Sequence, residues 1–243
     1  MHNHPIVYPV VHLSDSFRKA EASLTACREA GFDRVFLINQ GEYPPTTQEF
    51  FEIYFFAVKD LGMNVGLNTL GSVGKYKDTR LAGLGAAWED HYSYFDTFPL
   101  RGEKDLGTLT FGGVDFKYQA PEMDTLDVSI AKALAVCDVV TTSGPATGTA
   151  PILAKISKFR SALDRYQDRK QGFIPWQQRS KIPLRLAIAS GVNPDNIEGM
   201  ISAGADTFLV GTFFESSWGV MNKSKLEALA HYGTVHEKRS LGH

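Results

Sequence analysis

Cysteine is nearly missing from this chain of 243 residues, which holds only Cys27 and Cys137. The two stand far apart, each in an apolar stretch with helical spacing. They read as small core residues of a reducing compartment rather than as a disulfide, and a cytoplasmic location is the matching expectation. An excess of either charge is missing too. With 25 Lys and Arg against 27 Asp and Glu, the formal net charge is −2 and no basic block stands out, so no nucleic-acid partner is expected. No apolar run approaches the roughly 18 residues of a membrane span. The opening MHNHPIVYPVVH lacks the charged region, apolar region and cleavage site of a signal peptide.

Familiar catalytic and cofactor motifs are also absent. No GxGxxG follows the first apolar run, which counts against a doubly wound dinucleotide-binding sheet. No GxSxG is present, so a serine-nucleophile hydrolase is not expected. No HxH, HExxH or cysteine-cluster spacing supports a tight zinc site, the HxH of His2 and His4 belonging to the N-terminus and given no role. No cofactor is demanded by the sequence; Mg2+ is left open. Low-complexity tracts, linkers and a composition break are not seen.

What the chain does have is alternation. Apolar runs IVYPVV (6–11), RVFLI (34–38), NVGL (64–67), GAAWE (85–89), FGGVDF (111–116), DVVTT (138–142), LRLAIA (184–189) and TFLV (207–210) recur along it. They are rich in β-branched residues and do not alternate with polar ones, as expected for strands covered on both faces. Amphipathic stretches 16–31, 46–62, 125–137, 152–163 and 193–204 fall between them, the last with Asn193 as N-cap and Pro194 at the first helical position. Eight strand–helix units in about 240 residues predict one (β/α)8 TIM barrel of about residues 5–230, filling a single domain 1–243 with a short C-terminal tail. Two segments exceed a short connection. Residues 89–109 leave the fourth strand on the active face and are rich in aromatics, as a lid would be. Residues 164–183 precede the seventh strand on the opposite face, a place for a homo-oligomer contact or a protein partner.

Polar residues that end barrel strands face its mouth. Reading each end in turn gives His12, Asn39, Asn68, Asp90, Lys117, Ser143 with Thr147, Ser190 and Thr212. His12 is the acid–base candidate, because imidazole titrates near neutrality. Lys117 suits an oxyanion or phosphate, and Asp90 suits a base or an orienting group. Asn39, Asn68, Thr142, Ser143, Thr147 and Ser190 are substrate-binding candidates. The turns ASGVNP (189–194) and LVGTFFE (209–215) place Gly191, Val192, Gly211 and Thr212 where barrels bind phosphate, with glycine giving close approach and a helix start adding its dipole. The stretch TTSGPATG (141–148) packs no core and reads as a loop that grips a small ligand. Glu89, Asp90 and His91 raise the question of a metal, but three adjacent residues cannot all face inward.

These residues resemble those of the BtpA/SgcQ family of barrel proteins. The likeness rests on PVVHL (9–13), FGGVDFKYQ (111–119), DVVTTSGPATG (138–148) and the pair LRLAIASGVNPDNI (184–197) and GADTFLVGT (204–212), with GFDRVFLINQG (31–41) and NVGLN (64–68) beside them. It spans about Pro5 to Glu215. The resemblance implies a phosphate-binding barrel with contacts through His12, Lys117, Thr142, Thr147, Ser190, Gly191 and Gly211. One departure stands out: LSDSFRKA (13–20) replaces the Pro- and Gly-bearing loop that follows the family's first histidine.

The first expectation is therefore an enzyme acting on a small phosphorylated metabolite, a sugar phosphate or a phosphoribosyl or nucleotide compound, by proton transfer and anion stabilisation. The alternatives are a metal-dependent nucleotide or phosphoester hydrolase with Asp90 and His12 as ligands, and a non-catalytic assembly or regulatory factor of the BtpA type.

Overall fold

The computed structural model describes residues 4–13, 16–40, 47–68, 70, 84–97, 108–120, 123–172 and 184–233. Eight parallel strands close into a barrel in sequence order. They are β1 (Ile6–His12), β2 (Arg34–Ile38), β3 (Asn64–Asn68), β4 (Ala86–Glu89), β5 (Leu109–Gly113), β6 (Val139–Ser143), β7 (Leu186–Ala189) and β8 (Thr207–Val210). Closure comes from the register Ile6↔Thr207 through Pro9↔Val210. The fold is the expected (β/α)8 TIM barrel.

Helices α1 (Phe17–Glu29), α2 (Thr47–Phe55), α3 (Leu126–Val136), α4 (Leu153–Gly172) and α5 (Ile197–Ser202) follow strands one, two, five, six and seven. After β8 the chain first makes a small antiparallel hairpin, β9 (Glu215–Ser217) and β10 (Val220–Met221), and only then α6 (Lys223–Leu229). Asn222 caps α6, its side chain accepting from Lys225 N–H.

Both strand faces are apolar because both are covered. One set of buried side chains (Val7, Val35, Leu37, Val65, Val140, Ile188, Phe208) packs under the helices. The alternate set (Ile6, Tyr8, Val10, Phe36, Trp88, Phe111, Val139, Ala187, Leu209) fills the barrel. The interior is unusually aromatic. Phe36 sits at its centre, 5.3 Å from the Tyr8 and Phe111 rings and 5.8 Å from Trp88. Gly66 makes room for it, since a Cβ there would stand 2.5 Å from the Phe36 ring.

Several expected boundaries move. The fifth strand is Leu109–Gly113 rather than 111–116, because Asp115 takes a positive φ of 47° and turns the chain out of the sheet. The helix expected over 46–62 ends in a π-helical turn, Phe56–Asp60. The helix after β7 begins at Ile197, not at Pro194: Asn196 Oδ1 accepts from Asn193 N–H and Asn193 Oδ1 accepts from Asp195 N–H, which spends 194–196 on a turn. In the segment 89–109, Tyr92–Thr97 forms a short 3-10 helix whose Tyr92 and Phe95 are buried against the outer core, so these aromatics pack rather than cover the mouth. Its remainder, 98–107, lies outside the described residues. Residues 164–172 are not an insertion but the end of α4, tied to α3 by Arg165 and Asp127 at 2.8 Å. Residues 173–183, with Phe173 and Trp176, lie outside the described residues.

Candidate active site

At the C-terminal mouth, one cavity is lined by residues from all eight strand ends and the loops that follow them. It includes His12, Gln40, Leu70, Asp90, Lys117, Thr147, Ser190, Gly191, Val192, Gly211 and Thr212 over an apolar floor containing Trp88 and Phe116. Strand parity explains much of this gathering. His12 continues the inward series Ile6, Tyr8, Val10, and Asp90 continues Ala86, Trp88.

His12 is buried and held on three sides. Its Nδ1 lies 2.8 Å from Glu215 Oε1. A carboxylate only accepts, so Nδ1 carries the proton and, in the neutral ring, Nε2 is the basic nitrogen. Trp218, at the tip of the β9–β10 hairpin, stacks on the imidazole with ring centroids 4.2 Å apart. Gly211 lies against its edge, where a Cβ would stand 2.9 Å from Cε1. Glu215 is fixed in turn by Gly219 N–H at 3.0 Å, across the hairpin. This is the carboxylate–histidine geometry that fixes tautomer and ring orientation.

A second network stands across the mouth. Lys117 Nζ donates to Ser190 Oγ at 2.5 Å and lies 5.5 Å from the centre of the Phe116 ring. Asn68 Nδ2 donates to Asp90 Oδ1 at 3.1 Å, and Asn68 Oδ1 accepts from Leu70 N–H. Burial pushes the Asp90 carboxyl above its ordinary value, while the Asn68 hydrogen bond and the Lys117 charge pull it back. Burial likewise pushes the Lys117 ammonium down, and the Asp90 charge opposes it. Ser190 holds a φ of +94°, a conformation that favours glycine, and Gly191 follows at +67°.

The loops that carry these groups are locked from behind. Ser143 Oγ accepts from Lys117 N–H and donates to Gly144 O. Lys155 of α4 donates to the carbonyls of Asp115 (2.7 Å) and Ser143 (2.9 Å) and pairs with the Asp115 carboxylate at 3.0 Å. The glycines of TTSGPATG and of the seventh loop serve the same end. A Cβ on Gly144 would lie 1.9 Å from Thr149 O, and one on Gly191 would lie 2.1 Å from Ala150 N. Loops six and seven thus interlock through their backbones. Loop five joins them where Thr147 N–H donates to the phenol of the exposed Tyr118 at 3.2 Å.

Not every candidate reaches the mouth. Asn68 acts through Asp90. Thr142 has the wrong parity: it points outward and donates to Asp115 O at 3.3 Å. Ser143 has the right parity, but its hydroxyl is used within the loops. Asn39 sits between Ile38 and Gln40, which line the cavity while it does not, and its buried Oδ1 has no partner among the described residues. Gly211 leads into the hairpin rather than a helix start, so no helix dipole stands behind it. Glu89, Asp90 and His91 diverge: Glu89 is buried in β4, and His91 stacks on Tyr92 and bonds Ser93. Among the described residues, no three His, Cys, Asp or Glu side chains gather as a metal-ligand set. The sequence reading missed Glu215, Trp218 and Trp88. A run of apolar and polar residues such as FFESSW carries no periodic signal for a three-residue strand.

No protein-family model matches the chain, and no curated protein matches it. Solved structures do share its architecture. (S)-3-O-geranylgeranylglyceryl phosphate synthase from Thermoplasma acidophilum, in complex with sn-glycerol-1-phosphate, aligns over 95% of this chain and 93% of its own, with a TM-score of 0.63 and 13% identity. The native KDPGal structure aligns over 96% and 97%, with a TM-score of 0.62 and 15% identity. N-(5'-phosphoribosyl)anthranilate isomerase from Pyrococcus furiosus aligns over 95% and 98%, with a TM-score of 0.57 and 14% identity. At such identities the likeness is one of fold: the chain shares its barrel architecture with these structures along nearly its whole length.

Proposed function

We propose that this barrel is an enzyme acting on a small phosphorylated metabolite, with proton transfer and anion stabilisation at its C-terminal mouth. The observation that carries the reading is the meeting, in one cavity, of a carboxylate-oriented imidazole and a half-buried lysine. His12 Nε2 takes or returns a proton while Glu215 holds the ring. Lys117 opposes the negative charge that develops on the substrate oxygen. Asp90, made less acidic by burial, orients a substrate hydroxyl or shares the proton work. The N–H groups and hydroxyl around Gly191, Val192, Gly211 and Thr212 take the phosphate.

Two further lines support it. Three solved barrels of similar fold are named for phosphorylated compounds: the glyceryl phosphate synthase, the phosphoribosylanthranilate isomerase and a thiamine phosphate pyrophosphorylase. The resemblance of the strand ends to the BtpA/SgcQ family points to the same residues, of which His12, Lys117, Thr147, Ser190, Gly191 and Gly211 line the cavity.

The test is a thermal-shift panel of inorganic phosphate, ribose 5-phosphate, phosphoribosyl pyrophosphate and nucleoside monophosphates, with their unphosphorylated counterparts, each with and without Mg2+. A ligand at a hundred times its Kd adds about 2.7 kcal/mol, a shift of about 5–10 °C for a domain of this size. Stabilisation is expected from phosphorylated compounds alone. Lys117→Ala is then expected to lose turnover of the compound identified while melting as the parent does; full activity in that variant would sink the assignment.

A further inference from the structure

Trp88 lines the floor of the mouth, yet it is only 5% exposed, and its indole Nε1 is buried with no hydrogen-bond partner among the described residues. The rings that pack against it are hydrocarbon. Its ring meets Phe36 edge-on at 5.8 Å and Phe116 at 6.0 Å. Phe36 and Phe111 fill the same interior without bringing a polar atom. A tryptophan there adds a donor to a place with nothing to accept it, and a buried donor left unmatched is costly.

We propose that Trp88 is a substrate-recognition residue whose Nε1–H donates to a carbonyl or carboxylate oxygen of the ligand, at the end away from its phosphate. The inference rests on the phosphorylated-ligand reading above and narrows it to compounds with a second function, a carbonyl or a carboxylate. The chemistry of the floor makes the choice. Indole nitrogen only donates, so the ligand atom is an acceptor. Lys117 packs on the same Phe116 ring, its Nζ 5.5 Å from the centre, and also only donates. A ligand hydroxyl between these two groups would bring a proton that neither accepts and that only a third group such as Asp90 could take. A carbonyl or carboxylate oxygen has lone pairs for both and no proton to place. Trp88 would then select the ligand, and Lys117 would stabilise charge gathering on that same oxygen.

The matched probes are dihydroxyacetone phosphate and 3-phosphoglycerate, which carry the second function, against glycerol 3-phosphate and inorganic phosphate, which do not. Trp88→Phe keeps an aromatic ring and removes the donor. The variant is expected to lose about tenfold in affinity for the first two, the scale of one hydrogen bond to a carbonyl or charged oxygen. Its affinity for the last two is expected to stay the same, and its free melting temperature to stay level or rise. As a second readout, the Trp88 indole N–H resonance of the unmodified protein is expected to move downfield with the first pair alone. Equal losses for all four probes, or no loss for any with an unmoved resonance, overturn the inference while leaving the phosphate reading intact. Wild-type protein that answers to none of the four probes, and to nothing in the broader phosphorylated panel, overturns both before any variant is made.

Discussion

Gly191→Ala separates two physical costs that the mouth combines. The first is conformational: Gly191 holds φ at +67°, and an L side chain in that region costs about 1–2 kcal/mol. The second is steric. The new Cβ would stand 2.1 Å from Ala150 N, 2.5 Å from Thr149 C and 2.6 Å from Ala150 Cα. All three are backbone atoms and cannot rotate away, so loop six must be displaced as a body, at the usual overpacking cost of about 1–3 kcal/mol. Together these predict a loss of about 2–5 kcal/mol, or about 4–20 °C in melting temperature. Gly31→Ala is the control. Gly31 holds φ at +96° after α1, but a Cβ there meets nothing within 4 Å, so it carries the conformational cost alone. Melts followed by far-UV circular dichroism would place Gly31→Ala a few degrees below the parent and Gly191→Ala well below that. Equal melting temperatures for the two variants would refute the claim that loops six and seven interlock through their backbones.

The remaining predictions concern chemistry more than stability. Gly211→Ala, whose Cβ would press on His12 Cε1 at 2.9 Å without a positive φ to strain, is expected to cost at least about tenfold in kcat by turning the imidazole, with a melting temperature within a few degrees of the parent. Glu215→Gln removes the charge that holds His12 Nδ1–H and is expected to lower kcat far more than it raises KM, with a changed pH–rate profile; an unchanged profile would deny Glu215 its orienting part. Asp90→Asn bears on pH in two ways. Burial raises Asp90 from 3.8, so its contribution favours the fold below that value and is lost as pH climbs through the raised one; the variant's melting advantage should therefore grow as pH rises from about 4 through the raised value. The same variant removes the charge that supports the Lys117 ammonium, so the alkaline limb of activity should move to lower pH.

The barrel was legible because its signal is local. Each strand is a short apolar run covered on both faces, and each break between runs is polar or glycine-bearing. The site was legible only in outline. Strand-end polarity picks out His12, Asp90, Lys117 and Ser190, but parity decides whether a residue faces the axis, and parity depends on where a strand starts. Thr142 and Ser143 show this: adjacent residues of one run, they point to opposite sides of the sheet. The partner of His12 lies 203 residues away on a strand of three residues, with no periodicity to announce it. Nor does composition say whether an aromatic-rich segment covers a ligand or a core, and Tyr92 and Phe95 went to the core.

Glycine in the loops reads from the sequence as a grip for a ligand, and the structure shows another use. Gly144 and Gly191 are sites where backbone meets backbone, and Gly211 is where backbone meets the His12 ring. The rim is therefore built to be stiff before it is built to be open. Lys155 draws the ends of loops five and six together from behind, and Ser143 binds the Lys117 backbone to the sixth strand end. Stiffness of this kind holds donors at fixed places before a ligand arrives, which lowers the cost of stabilising charge when it appears. It also fixes where adaptation can occur. Among the described residues, the mouth groups least tied to that frame are the exposed Trp218 over His12 and the exposed Tyr118 beside Thr147, on opposite networks. Among the described residues, closure over a ligand should come from these two rings, while Lys117, Ser190 and the Gly191 turn stay where the interlocked loops hold them.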